Sequence, residues 1–270
     1  MRKIILLLFL IPSLCFAGLR GSELTVLGDN ENNCFIPKVG ILPQESYIVA
    51  FWQMEEASGN LEDQLGVHTA TPVETPLYEQ TGKITNCIDF NGTNAHFTVA
   101  DHSQLSPLLT TGFSISAWIN PDVLGADGIV SKCDNPYEWR FIIDENGKVN
   151  FLIWGTGGGY ISRITNAGEI TVDGGWYHVV ATYSGGTTDT AIKIYINRVQ
   201  KDAVSDGSGT FTAPKDLTSL VRIGAMYGAD YFFDGLIDEV IIWQGKELTV
   251  DEISWLYSRG SPTRKGYQIK

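Results

Sequence analysis

Positive charge is in short supply in this chain. In 270 residues, 19 lysines and arginines stand against 31 aspartates and glutamates, a formal net charge of −12. Nucleic acid and anionic lipid both need a basic patch, so neither is an expected partner. The one basic cluster, residues 259–270, reads as a solvated tail. Cysteine is scarce, at four residues, and its spacings match no zinc pattern. After the first seventeen residues no apolar run approaches the ~20 residues that a bilayer crossing needs, so no membrane insertion is expected. No G-x-S-x-G, H-E-x-x-H or P-loop pattern occurs. Long alternation of strand and helix signals is missing too, and there is no internal repeat or low-complexity tract.

What is present begins with a leader. Met1-Arg2-Lys3 is basic, residues 4–11 are wholly apolar, and Cys15-Phe16-Ala17 supplies a cleavage site before Gly18. This is the pattern of a secretory signal peptide over residues 1–17. Leu14 precedes Cys15, which argues against lipidation. The mature protein is expected to be exported, with a net charge of 17 − 31 = −14 once Arg2 and Lys3 are removed. Cys34, Cys87 and Cys133 remain, an odd number that allows one disulfide and one free thiol. The other reading is that they are small buried apolar residues. If a bridge forms, Cys34 to Cys87 or Cys133 is favoured. Residues 18–46 are polar, rich in Asn and Gly, and read as an extension or linker.

From Tyr47 onward short strand signals alternate with turns. Phe113, Ile115, Ala117 and Ile119 share one face of a period-two run. Residues 139–143 and 148–154 flank Asp144-Glu145-Asn146-Gly147, a hairpin signal. Residues 176–183 and 191–196 read as strands, the latter with Ile192, Ile194 and Ile196 inward and Lys193 and Tyr195 outward. Further strands fit at 47–52, 88–90, 96–99, 221–224 and 232–243. Many short strands separated by Gly-rich turns predict a two-sheet antiparallel sandwich or jelly roll. One helix is expected near the end. Thr249-Val250-Asp251-Glu252 is a capping box, Ile253, Leu256 and Tyr257 form the buried stripe, and Gly260 and Pro262 stop it. Trp118, Trp176 and Trp243 are expected in the core, as is His178.

Asp238 stands out in the last strand. An acid in so apolar a run needs a partner, since an unpaired buried charge costs several kcal/mol. A hard cation such as calcium is the favoured partner, with a Lys/Arg pair or capped backbone N–H groups as the alternative.

Several segments, in order, resemble one family, the laminin-G-like, concanavalin A-like lectin/glucanase jelly roll. They are residues 49–59 with Asp63 and Gly66, Asp89-Phe90-Asn91-Gly92, Phe113 to Ile119, Gly128 to Lys132, Trp176 to Tyr183, Ile194 to Asn197, and Gly235 to Val240. The resemblance covers residues 47–260 and implies an all-β, two-sheet antiparallel jelly-roll sandwich (concanavalin A-like) with one short C-terminal helix. It also implies a structural calcium with Asp238 as side-chain ligand, the Gly92 carbonyl, and an oxygen from the Glu55 to Asp63 segment. Arg198 replaces the usual Gly after Asn197, which suggests a different hairpin turn, and Tyr177 takes the place of a second His beside His178. Asn91-Gly92-Thr93, formally a glycosylation sequon, is read as the family's tight turn.

Catalysis is not expected. The glucanase members carry E-x-D-x-x-E on one strand, and no such pattern occurs; Glu55-Glu56 and Asp238-Glu239 are adjacent pairs, which on a strand point to opposite faces. The expected function is therefore an exported recognition module, binding a glycan or cell-surface protein through loops of a calcium-stabilised sandwich. Its candidate ligand residues are Asn135, Tyr137, Trp139, Trp154, Tyr160, Tyr227, Asp230 and Tyr231, because sugar sites combine aromatic faces with a few polar groups. The alternatives are a structural or adhesion subunit, such as a surface or virion decoration, and a divergent glycoside hydrolase.

Overall fold

A computed structural model describes residues 17–20, 23–26, 42–227 and 231–260. Residues 1–16 of the signal sequence, Cys34, Asp230 and the basic tail beyond Gly260 lie outside these. The chain divides into two units. The first contains an antiparallel pair, β1 (Ala17–Arg20) and β2 (Glu23–Val26), with Ala17 opposite Val26.

The second unit begins at Leu42 and is built of two sheets. Numbered in chain order, the first sheet runs β16 (Asp202–Ser208), β12 (Tyr160–Thr165), β11 (Val149–Trp154), β10 (Tyr137–Ile143), β9 (Asp127–Cys133), β17 (Val221–Ile223), β7 (His96–Val99), β4 (Ala70–Val73). The second runs β15 (Val199–Gln200), β14 (Ile192–Ile196), β13 (Tyr177–Tyr183), β8 (Gly112–Pro121), β18 (Asp234–Gly245), β6 (Asn86–Asn91), β5 (Leu77–Thr81). β3 (Ile48–Trp52) also pairs with β18, and every one of these strand pairings is antiparallel. Alternation along the strands drives the two sheets together. Phe113, Ile115, Ala117 and Ile119 of β8 meet Trp139, Phe141, Phe151 and Ile153 of the opposite sheet in one buried cluster. Each such side chain contributes roughly 1.5–3 kcal/mol by leaving water. The result is the expected jelly-roll sandwich.

The helix α1 (Val250–Arg259) closes a second apolar layer behind the second sheet. Ile253 and Leu256 pack with Phe51, Val180, Tyr195, Ile241 and Trp243. Tyr195 thus points outward, as read from the sequence, yet is covered. The capping box is formed: the Glu252 N–H donates to Thr249 Oγ1 at 3.3 Å, and the Thr249 N–H to Glu252 Oε2 at 2.7 Å. Gly147 takes the positive φ in the β10–β11 hairpin, and Asp144 Oδ1 accepts the N–H groups of Asn146 and Lys148, both at 2.9 Å. The β14–β15 hairpin corrects one expectation. Asn197 and Arg198 both adopt positive φ, 48° and 67°, so the tight two-residue turn survives without its glycine.

His178 is buried and neutral, its ring pushed down to about 3 by burial, with the Lys83 charge adding to the effect. Trp118 and Trp243 are buried as expected, whereas Trp176 precedes β13 and is only partly covered. Cys87 and Cys133 are buried free thiols, and burial pushes both up to about 12.

Candidate functional site

The outer face of the first sheet carries the candidate ligand surface. On β11, Phe151 and Ile153 enter the core, so Leu152 and Trp154 turn the other way. There Trp154 joins a continuous arc of rings. Tyr231, Tyr227, Tyr137, Trp154 and Tyr160 follow one another with centroid separations of 5.4, 5.6, 5.3 and 6.5 Å. All fall in the range of favourable aromatic contact. Tyr137 and Tyr231 are 42% and 44% exposed, which makes them the surfaces a ligand meets first. Exposed Asn135 is two residues from Tyr137, and the Tyr160 hydroxyl faces Asp206 at 3.4 Å. The structure therefore brings five of the eight candidate residues into one surface, with a sixth beside it in sequence.

Trp139 is a correction. It is fully buried, packs on Phe113 and Phe151, and donates its indole N–H to the Leu105 carbonyl at 2.9 Å. In a regular strand Tyr137 and Trp139 share a face. The β9–β10 register shifts between these two residues, and that irregularity sends Trp139 inward while Tyr137 stays with the arc. The shift also directs Glu138 into a fully buried pair with Lys132, at 2.6 Å. Sequence reasoning missed Arg140. Its alternation with core-facing Trp139 and Phe141 was the available signal. Its guanidinium lies 5.6 Å from the Trp154 ring centroid, and its Nη1–H donates to Met226 Sδ at 3.5 Å.

The candidate metal ligands do not converge. Asp238 is fully buried; its Oδ2 accepts the Ile84 N–H at 2.9 Å, the backbone cap allowed for as an alternative. Its Oδ1 has no hydrogen-bond partner among the described residues. Glu239 adopts a positive φ of 51° where β18 loses register with β8, and it is buried as well. One of its oxygens meets Arg259 Nη1 at 3.1 Å, and Oε1 has no partner among the described residues. Burial drives the Asp238 carboxyl well above its ordinary range, with neighbouring Glu239 and Glu55 adding to the rise. Burial also lifts Glu239 to about 7 against the opposing Arg259 charge. Glu55 is near, with its two oxygens accepting from the Thr85 hydroxyl at 2.6 Å and the Asn86 N–H at 3.2 Å.

Asp63 and Gly92 lie elsewhere. Asp63 accepts four backbone N–H groups, from Phe51, Leu65, Val67 and His68, at 2.9–3.2 Å. Its lone pairs are spent on closing its own loop. Gly92 sits against Asp234, where an added Cβ would come within 2.6 Å of the carboxylate. Four residues of β18 separate Asp234 from Asp238, about 13 Å at the rise of a strand. Asn91 Oδ1 accepts the N–H groups of Thr93, Asn94 and Ala95, so the tight-turn reading holds. Around this turn, burial and then the nearby Asp122 charge raise the carboxyls of Asp89 and Asp234, and Asp234 adds to the rise at Asp89. Burial takes Asp127 up to about 6 against an opposing backbone hydrogen bond from Gly125, with the Asp234 charge adding to the rise. Among the described residues no three His, Cys, Asp or Glu side chains are arranged to hold a metal ion. A cation at Asp238 would draw on Asp238 Oδ1, Glu239 Oε1 and backbone carbonyls, which calcium accepts.

A family model described as the concanavalin A-like lectin/glucanases superfamily matches residues 91–254, more than half of the chain. No curated protein is significantly similar. Among solved structures, domain 4 of AbnA, an extracellular arabinanase from Geobacillus stearothermophilus in complex with arabinotriose, is 20% identical with a TM-score of 0.58, covering 78% of this chain and 98% of that one. The binding domain of botulinum neurotoxin serotype G is 17% identical with a TM-score of 0.59, covering 80% and 52%. A Trypanosoma rangeli sialidase is 18% identical with a TM-score of 0.56, covering 80% and 33%. The chain thus spans about half the length of the toxin domain and a third of the sialidase. At these identities the likeness is one of fold, and the structures that share it include both binding domains and enzymes.

Proposed function

We propose, from the premise that this chain belongs to the concanavalin A-like lectin/glucanase superfamily, that it is a non-catalytic carbohydrate-binding module. The observation that carries this reading is the arc of five rings, with Tyr137 at its middle and Tyr231 at one end exposed. A sugar ring has an apolar face that stacks on such a surface, and its hydroxyls find polar partners at the rim. Glu138, which follows Tyr137 in sequence, is locked away by Lys132 and is no candidate for acid–base work. The leader sequence supports export, and among the described residues no helix is long and apolar enough to cross a membrane.

Isothermal titration against a panel of neutral and acidic oligosaccharides tests the site. Tyr137→Ala removes an exposed ring without opening the core, so it is expected to weaken binding tenfold or more with an unchanged melting curve. Undiminished binding by this variant would move the site elsewhere. Binding of no sugar would favour a protein partner and a structural or adhesive role.

We also propose calcium at Asp238, with Glu239 in place of Asp63 and Gly92 in the ligand set. The support is a pair of buried carboxylate oxygens without partners among the described residues, where a cation would offset their repulsion. Binding to the folded state alone raises stability by mass action. Added calcium is therefore expected to raise the melting temperature above its value in EDTA, and Asp238→Asn to abolish that difference. Identical wild-type curves in EDTA and calcium would leave Asp238 as a backbone cap and nothing more.

A further inference from the structure

Resting on the carbohydrate reading above, we propose that the sugar held by the aromatic arc is an acidic one, whose carboxylate is read by Arg140. The argument starts from charge. Arginine cannot shed its proton in a protein, so a partly buried guanidinium must be offset by something. Three other arginines of the described fold are offset by acids. Arg163 lies 2.8 Å from Asp202, Arg222 lies 2.8 Å from Asp134, and Arg259 lies 3.1 Å from Glu239. Arg140 has no carboxylate within 4.0 Å among the described residues, in a chain where acids outnumber bases 31 to 19. Its contacts are the Trp154 ring and the Met226 sulfur, and its buried Nε–H finds no acceptor among the described residues. Cation–π attraction and a thioether acceptor offset only part of the desolvation of a guanidinium.

Position makes the charge useful. On β11, Leu152 is the cross-strand partner of Arg140, and Trp154 lies two residues further along on the same face. Arg140 therefore stands one step inside the ring arc, half-exposed, with Tyr137 and Trp154 at the entrance. On the other side, Ser131 pairs with both Arg140 and Arg222. The two arginines thus lie about 10 Å apart across neighbouring strands, two interstrand spacings. Arg222 meets a carboxylate, Asp134, whereas Arg140 meets none among the described residues; with Nε buried and one Nη1 hydrogen given to Met226, the end of its guanidinium, Nη1 and Nη2, is the part left to face a ligand. That planar fork matches a carboxylate with two parallel hydrogen bonds, and charge-assisted bonds of this kind are about twice as strong as neutral ones. A sugar stacked on the arc would place a ring carboxylate toward this fork while its hydroxyls remain at the rim.

The test compares matched sugars by isothermal titration: trigalacturonate against galactotriose, and 3′-sialyllactose against lactose. The wild-type chain is expected to prefer the acidic member of at least one pair tenfold or more, with the preference shrinking as salt is raised. Which pair shows it distinguishes a uronate from a sialate source. Arg140→Met should abolish the preference, bringing the acidic and neutral members of the pair to the same affinity. Arg140→Lys keeps the charge without the fork and should retain part of the preference, which guards against a Met variant that folds poorly. Equal wild-type affinity for both members of both pairs overturns the inference, as does an Arg140→Met variant that folds and keeps the preference. In either case neutral-sugar binding that Tyr137→Ala still abolishes leaves the carbohydrate reading standing. Binding of no sugar overturns both.

Discussion

Replacing Lys132 by Met is expected to lower the melting temperature by about 10 °C. The Lys132 ammonium is fully buried, 2.6 Å from Glu138 Oε2 and 2.8 Å from Asp101 Oδ1, with Ser106 Oγ at 3.0 Å. Glu138 is fully buried too, and its other oxygen accepts the Ser219 N–H at 3.1 Å. Desolvating both ions makes the intact pair a weak net stabiliser, but removing one partner strands the other charge at a cost of about 3–5 kcal/mol. In a domain of this size each kcal/mol is worth about 2–4 °C. The double variant Lys132→Met with Glu138→Leu removes the stranded charge and should recover most of the loss, a non-additivity expected of groups in contact. Calorimetry on the single and double variants decides the matter. A single-variant loss below ~1 kcal/mol, or a double variant as unstable as the sum of the singles, would show that the pair is not coupled as its geometry implies.

Asp63→Ala is the next largest expected effect, a loss of about 2–4 kcal/mol. The carboxylate gathers four N–H groups, two of which, from Phe51 and His68, sit in buried surroundings. Hydrogen bonds to a charged acceptor contribute more than neutral ones, and the buried donors would be left without a partner. Asp63→Asn keeps one acceptor oxygen and should cost about half as much. The loss should be the same in EDTA as in calcium, because the lone pairs are occupied by the chain itself. If EDTA lowers the wild-type melting temperature to that of Asp63→Ala and leaves the variant untouched, Asp63 is a metal ligand after all.

The strands that carry the core were legible because their alternation is unbroken. β8 reads Phe113, Ile115, Ala117, Ile119 on one face, and each of these residues is buried there. α1 was legible from local chemistry, since a Thr249–Glu252 capping box needs no tertiary context. Edge strands were not. β5 and β16 are largely exposed, so no apolar face marks them. The site was half legible for the same reason. Tyr137, Trp154, Tyr160, Tyr227 and Tyr231 were found by residue type. Trp139 was misplaced because alternation cannot show where a strand loses register, and the shift at Glu138 reverses the parity of one neighbour. A similar loss of register brings Glu239 indoors beside Asp238, contrary to the expectation that adjacent acids diverge. In the calcium set that the resemblance implied, Gly92 lies beside Asp234 rather than Asp238, and Asp63 accepts four N–H groups of its own loop. A shared motif fixes which residues are present, whereas the distance between Asp234 and Asp238 along one strand fixes which of them can meet.

The place of β18 has a consequence for how the molecule forms. It is the last strand of the domain in sequence, yet it pairs with β3, β6 and β8, which come from much earlier. Until it emerges, β8 lacks one neighbour and β3 and β6 have no bridge to it. The sheet therefore nucleates late, through contacts between distant parts of the chain, and folding is expected to be slow for the domain's size. During synthesis β3, β6 and β8 wait with open edges, whereas β5 and β16, the outer strands at one end of each sheet, are exposed and acid-bearing, which discourages pairing with other chains there.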